Sequence, residues 1–215
     1  DSAARTALSR DTLRNKKRDA TALTVVDVEV RHGQRPTYRA VDRACWLGVP
    51  HASLYPRLLA LAEQWRAAWV VVDATGVGAG LASFLSAALG ERLIAVLFSF
   101  KVKSQLGWDF LGIVETGRYR DYQSAGAQDG DAETRQFWHE VERCRFEIRP
   151  GPSRAMRWGV WETPAYDGRL AHGHDDLLIS AALCAILDGL DWPGTGESAV
   201  VELPDVLGGG DRAEW

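Results

Sequence analysis

Three short stretches of this chain bring together residue types that could do chemistry. The first is Asp73, which closes the apolar run Ala68–Asp73 (AWVVVD) and opens the segment DATGVGAG. An acid at the end of a buried strand stands at the carboxyl edge of a parallel sheet, where α/β proteins build their sites. Burying a carboxylate is costly unless it is paired or binds a cation. The plainer role is a cap on the helix that follows. The second stretch is His172–Gly173–His174–Asp175–Asp176, directly before an apolar helix. Two carboxylates at a helix N-terminus are favoured by the macrodipole. They also repel each other, and a divalent cation would relieve that repulsion. The plainer role is one capping Asp with a solvated neighbour. His172 and His174 have neither Cys partners nor an H-x-x-x-H helix, which argues against zinc. The third stretch is Lys101–Val102–Lys103–Ser104, after an apolar strand. Lysines at that edge would lie near Asp73 and could hold phosphate; otherwise they form a solvated first helical turn.

Gly76, Gly78 and Gly80 are spaced G-x-G-x-G rather than G-x-G-x-x-G, and Asp73 just upstream would repel a pyrophosphate. The glycines therefore read as close backbone packing beside Asp73. No G-x-x-x-x-G-K-[ST] occurs, so a Walker A motor site is absent from this sequence. Arg118, Arg120, Arg143, Arg145, Arg149, Arg154 and Arg157 form a scattered basic set. Trp138, Trp158 and Trp161 read as core or rim packing rather than base-stacking platforms.

The elements that must position these residues follow from periodicity. Ala20–Val30 is rich in β-branched residues and reads as a strand, and Thr37–Leu47 as its antiparallel partner across a turn containing Gly33 and Pro36. Leu54–Arg66 carries apolar residues at helical spacing, with Pro56 expected in its first turn. Ala68–Asp73 and Leu93–Ser99 read as buried parallel strands joined by a helix over Gly76–Leu89. Lys101–Thr116 reads as a helix ended by Gly117. Ala125–Asp131 is a Gly- and Asp-rich loop, and Glu133–Arg143 a helix. Arg145–Arg149 and Arg157–Glu162 are candidate strands around the turn Pro150–Ser153. Asp175–Leu190 is a final helix. A hairpin followed by a β-α-β crossover makes the fold class α/β with a mixed sheet.

Composition bounds the reading. Hydrophobic residues make up 46% and charged residues 25% of 215 residues, the balance of a globular protein with one α/β domain. No apolar run reaches the roughly 18 residues that span a bilayer. We expect no signal peptide at Asp1, where the chain opens with polar residues, and the missing Met leads us to expect a fragment or excised domain. Cys45, Cys144 and Cys184 form no C-x-x-C pair, which suits a reducing cytosol. The formal charge is −4, but residues 188–215 hold 7 of the 29 acids and only one of the 25 bases. Residues 1–187 are thus mildly basic, and the acidic pI does not exclude nucleic acid. We expect one domain over residues 1–192 and an acidic C-terminal tail over 193–215.

Taken together, these segments resemble the C-terminal nuclease domain of the large terminase subunit of tailed bacteriophages and prophages, which has the ribonuclease H-like fold. The matching segments, in order, are RDATALTVVDVEV, VVVDATGVGAGLASFL, FSFKVKSQLGWDFLGIVETGRYR and HGHDDLLISAALCA, within residues 14–190. The resemblance implies a metal-dependent endonuclease that cuts concatemeric viral double-stranded DNA during packaging. It implies a cluster of acids holding two Mg²⁺ or Mn²⁺ ions. Asp73 matches the second acid, and Asp175 and Asp176 match the third, with Asp176 favoured as direct ligand. The family's first acid sits on a strand before the RDAT segment. That strand is expected to be missing or truncated here, and Asp1, Asp19 and His174 are the further residues placed near the site.

Hard cations need oxygen ligands, so carboxylates suit them better than His or Cys. Lys101, Lys103 and Arg118 are expected on the DNA backbone. The resemblance further implies a portal protein, a small terminase subunit and an N-terminal ATPase domain of the same parent chain as partners, no membrane, and the host cytoplasm. Two rivals stand beside this reading. One is another ribonuclease H-like enzyme of resolvase or integrase type. The other is a non-catalytic docking module that uses the acidic tail.

Overall fold

In a computed structural model of the chain, residues 20–122, 131–161, 163–164, 170–171 and 174–192 are described. Asp1, Asp19, His172, the loop residues 125–130 and the tail after 193 lie outside these residues.

The chain opens with the expected hairpin. β1 (Ala20–Glu29) and β2 (Thr37–Leu47) pair antiparallel, with a register shift between Val25 and Val26. Val and Thr side chains suit the pleated, half-buried surface that β1 presents. α1 (His51–Gln64) begins three residues before the expected start, so Pro56 stands inside the helix rather than in its first turn. The turn at Pro50, whose carbonyl accepts from Ser53 and Leu54, starts the helix early. β3 (Val70–Asp73), α2 (Gly78–Leu89) and β4 (Leu93–Val96) form the parallel crossover. α3 (Phe100–Glu115) is capped by the Ser99 hydroxyl, which accepts from Val102 N–H, and gives way at Gly117, whose φ of 68° favours glycine.

β5 (Tyr119–Arg120) adds in parallel to β2. Two residues carry too little pattern to be seen in sequence, and pairing with β2 alone defines them. α4 (Ala132–Arg143) follows, capped by Asp131 through Thr134 N–H at 2.6 Å. β6 (Cys144–Ile148) and β7 (Met156–Val160) form a second hairpin, each starting one residue before the expected position. β8 (Thr163–Pro164) and β9 (Leu170–Ala171) are a short antiparallel pair. α5 (Asp176–Ala182) is α-helical for seven residues. The expected continuation to Leu190 is instead a 3₁₀ helix over Leu183–Gly189, a tighter winding common at helix ends.

The sheet order is β1-β2-β5, a mixed three-stranded sheet, with β3-β4 as a separate parallel pair. β1 and β3 therefore each keep an open edge among the described strands. Both strands line a single cleft of about 820 Å³. One core joins the sheets to the helices. Leu177, Ala181 and Ala182 of α5 pack there with Leu106 and Ile113 of α3, Tyr38 of β2 and Val96 of β4. A smaller cluster holds α1 against α2 through Ala62, Leu81, Leu85 and Leu89. Cys45, Cys144 and Cys184 are free thiols, as their spacing suggests.

Two polar clusters pin this core. Arg43 is fully buried and donates twice to Asp121, at 2.9 and 2.7 Å, and once to the Tyr119 hydroxyl, while its guanidinium lies 3.8 Å from the Phe137 ring centre. That contact joins β2 to the end of β5 and to α4. Asp188 accepts from Arg118 and from the Tyr38 hydroxyl. Burial alone would raise the Asp188 carboxyl. The hydrogen bonds from Arg118 and Tyr38, with the charges of Arg118 and Arg35, outweigh burial and hold it below the ordinary carboxylate range.

Gly107 of α3 faces β7, where a Cβ would overlap the Trp158 indole and stand 2.9 Å from Met156 Sδ. The indole cannot easily yield, because its N–H donates to the Lys103 carbonyl at 2.7 Å. Gly107→Ala should therefore destabilise the fold by about 1–3 kcal/mol of overpacking, seen as a lower urea unfolding midpoint, despite the ~1 kcal/mol that alanine gains in helix propensity. Asp188 contributes stability above its unfolded pKa, near about 4, and loses it as pH falls through the lower folded value. Asp188→Asn should be less stable than the parent near neutrality, and in pH-dependent denaturation the gap should narrow as pH falls below about 4.

Candidate active site

Asp73 ends β3 at the carboxyl edge, as the sequence indicates. Its Oδ1 accepts from Thr75 N–H at 2.8 Å, a local Asx turn rather than a helix cap, since α2 starts only at Gly78. Thr75 in turn accepts from Phe98 N–H at 2.8 Å, and Ala74 N–H donates to Val96 O at 2.8 Å. The loops after β3 and β4 are thereby tied together. Gly78 has the close-packing role expected of it, because a Cβ there would overlap the Asp73 carbonyl oxygen. Gly76 serves differently, through a φ of 56°, and Gly80 meets nothing within 4 Å.

Asp175 occupies the N-cap position of α5 and Asp176 its first turn, yet Asp175 makes no side-chain cap bond. The cap comes from elsewhere. Glu140 of α4, 2% exposed, accepts from Leu178 N–H at 2.9 Å through one oxygen and from Gln136 at 3.1 Å through the other. A carboxylate on orphan N–H groups stabilises a helix start. Burial, first of all, raises the Glu140 carboxyl, and the Asp176 charge adds to it; the bonds from Leu178, Gln136 and Leu177 pull the other way. Nothing in the spacing of Glu140 marks it as a partner of a helix 36 residues later. Its position on the inner face of an amphipathic helix was the one available sign.

The borrowed cap leaves Asp175 to other partners. Its Oδ2 lies 3.5 Å from Lys103 Nζ, which also stands 5.7 Å from the Trp158 ring centre. Gly159 of β7 makes room for this pair: with φ of 139°, a Cβ there would overlap Asp175 Oδ2 and sit 3.9 Å from Lys103 Nζ. Asp176 lies 3.5 Å from His174 Nδ1. Burial, then the charges of Asp176, Glu140 and Glu133, pushes the Cys45 thiol up to about 11.

Asp73, Asp175, Asp176 and Lys103 all line the cleft between β1 and β3. The structure thus brings to one cavity acids that stand far apart in sequence. His174 stands beside Asp176, while Lys101 is exposed on the first turn of α3 and is not part of the lining. Arg118 is not there either; it is held by Asp188, the Pro36 carbonyl and Thr116. Carboxylates are the donors that Mg²⁺ or Mn²⁺ prefers. Among the described residues, however, no three His, Cys, Asp or Glu side chains stand close enough to hold one metal ion together. The donor chemistry fits a hard cation, and the described ligand set is short of a full cluster. No helix of the described residues is long and apolar enough to cross a membrane.

Neither protein-family models nor curated protein sequences give a match. Solved structures do. The chain is similar to the large terminase nuclease from thermophilic phage G20c with bound cobalt, at 20% identity and a TM-score of 0.51, covering 77% of this chain and 81% of that one. The same nuclease with bound magnesium gives 20% identity and a TM-score of 0.51, over 78% and 82%. The fold is that of a large terminase nuclease. Its mixed α/β arrangement, with helices against the strands, is the fold class that the sequence indicated.

Within this terminase-nuclease fold, Glu140 holds the helix that carries the acid pair. Glu140→Ala leaves a buried N–H at α5 without an acceptor and should cost about 1–3 kcal/mol in urea denaturation. Glu140→Gln keeps an acceptor and should recover most of that loss.

Proposed function

We propose that this chain is a metal-dependent endonuclease that hydrolyses double-stranded DNA with little sequence preference, as the nuclease domain of a large terminase subunit that cuts concatemeric viral DNA during genome packaging. The observation that supports this most is that Asp73, Asp175 and Asp176 line one cleft of a fold shared with metal-bearing terminase nucleases. Asp73 and Asp176 would hold divalent ions, Mg²⁺ or Mn²⁺ and two in number. When bound, such ions supply activation of water and neutralisation of charge on the phosphate.

The chain's own residues do the rest. The Asx turn at Asp73 fixes the direction of one oxygen and keeps the carboxylate at the cleft wall. Lys103 balances Asp175 before a ligand arrives, which lowers the repulsion within the acid pair. The same ammonium is a point charge suited to a phosphate oxygen. Lys101 extends that positive edge toward solvent. In this reading the portal protein, the small terminase subunit and an ATPase domain of the parent chain are the partners, in the cytoplasm of the infected host.

A non-catalytic docking module is the second reading, and the shortage of a three-ligand group among the described residues favours it. A plasmid-nicking assay decides between them. The nuclease reading expects Mn²⁺- or Mg²⁺-dependent conversion of supercoiled plasmid, abolished by EDTA. Asp73→Ala and Asp176→Ala should each lower it by on the order of 10²-fold, the scale for one group that stabilises charge in a transition state. Mn²⁺ should raise the unfolding midpoint of the parent and not of Asp73→Ala. Plasmid left intact at every metal concentration, with no shift of the midpoint, decides for the docking module.

A further inference from the structure

We propose that one face of the β6–β7 hairpin is a track for the phosphate backbone of duplex DNA, leading to the acids. It rests on the nuclease reading and adds the surface that holds the substrate. In an antiparallel pair, residues opposite each other share a face, and the face alternates along each strand. The register sets Arg145 opposite Gly159 and Glu147 opposite Arg157, so these four share a face, and Arg149 continues it two residues on. Gly159 is the residue whose bare Cα admits Asp175 and Lys103. The arginine face therefore begins at the acid site and runs outward to the turn at Pro150.

Arg145, Arg149 and Arg157 are all exposed. None is tied to a carboxylate of the described residues. Arg145 donates to the Glu142 and Cys144 carbonyls at 3.0 and 2.9 Å. Arg149 lies 4.3 Å from the Phe100 ring centre, and Arg157 lies 5.2 Å from that of Trp161. Carbonyls and rings orient these guanidinium groups and leave their charge uncompensated. Glu147 is the one acid on the face. From Arg145 to Arg149 the strand advances about 13 Å, enough to meet successive phosphates.

The partner is a duplex rather than a single strand for a reason visible on the same hairpin. Single strands are held by exposed rings on which bases stack. Here Phe146, 60% exposed, belongs to the opposite face, while Phe100 of α3 and Trp161 beyond β7 each have an arginine beside the ring. The arginine face itself carries Arg145, Glu147, Arg149, Arg157 and Gly159 and no ring, so it offers mainly positive charge, which suits a phosphate backbone read without regard to sequence.

The test is anisotropy of the full chain with a labelled duplex of about 30 base pairs in EDTA, across a salt series. Arg145→Ala/Arg149→Ala/Arg157→Ala should lower the slope of log affinity against log salt by about 2–3, near 0.9 for each phosphate no longer neutralised. The triple lysine variant should keep the slope, and Arg31→Ala, after the end of β1, should leave it unchanged. Glu147→Lys should tighten binding and steepen the slope by about 1, a gain that misfolding cannot produce. An unchanged slope in the triple alanine variant, no gain in Glu147→Lys, or binding of a single strand in preference to the duplex overturns the track. Duplex binding that depends on the arginines without acid-dependent nicking would keep the track and end the nuclease reading. Nicking by a triple variant of unaltered affinity would do the reverse.

Discussion

A buried carboxylate under the first turn of α5 decides where the acid pair stands. Glu140 takes the helix's orphan N–H groups, a task that an N-cap aspartate ordinarily performs with its own side chain. Released from capping, Asp175 turns to Lys103, and Asp176 enters the first turn at the cleft wall. The arrangement concentrates negative charge. The Asp176 charge adds to burial in raising the Glu140 carboxyl, and the charges of Asp176 and Glu140 add to burial in raising the Cys45 thiol. Lys103 supplies a positive charge on the Asp175 side. The Asp73 and Asp176 side has the donor chemistry for a metal.

Close approach is the second requirement, and three glycines meet it. Gly78 lets α2 start against the Asp73 carbonyl, and Gly159 lets β7 pass beside Asp175. Gly107 does the same for the packing of α3 on β7, which carries Lys103 to the site. Each is a place where a side chain would push an acid or its partner out of the cleft. Residues far apart in sequence are thus registered by what is absent at three positions as much as by the hydrogen bonds that remain.

How much of this was legible depended on whether the cause was local. β1, β2, β3, the α2 crossover, α3 and α4 follow from periodicity and caps, and each lies within a few residues of the expected place. The carboxyl-edge position of Asp73 and the N-terminal position of Asp175 and Asp176 were likewise readable, because strand ends and helix starts announce themselves. What depended on tertiary contact was not. β5 exists only through β2, and Glu140 acts on a helix whose place no local pattern reveals. Arg118 shows the converse failure. As a lone arginine after a helix it looked available for phosphate, but Asp188, 70 residues later, takes its charge. The long reach of a guanidinium makes its partner the least local fact in a sequence.

The expected single sheet is also divided, and the division bears on the site. Between the open edge of β1 and that of β3 the described residues leave the cleft itself, so the acids line a cavity walled by strands rather than the rim of a continuous sheet. An unpaired edge presents a row of N–H and C=O groups that natural sheets ordinarily cover or pair. A strand able to pair with both edges would join the two sheets and fill part of the cavity that Asp73, Asp175 and Asp176 line, so the open edges and the acids share one space.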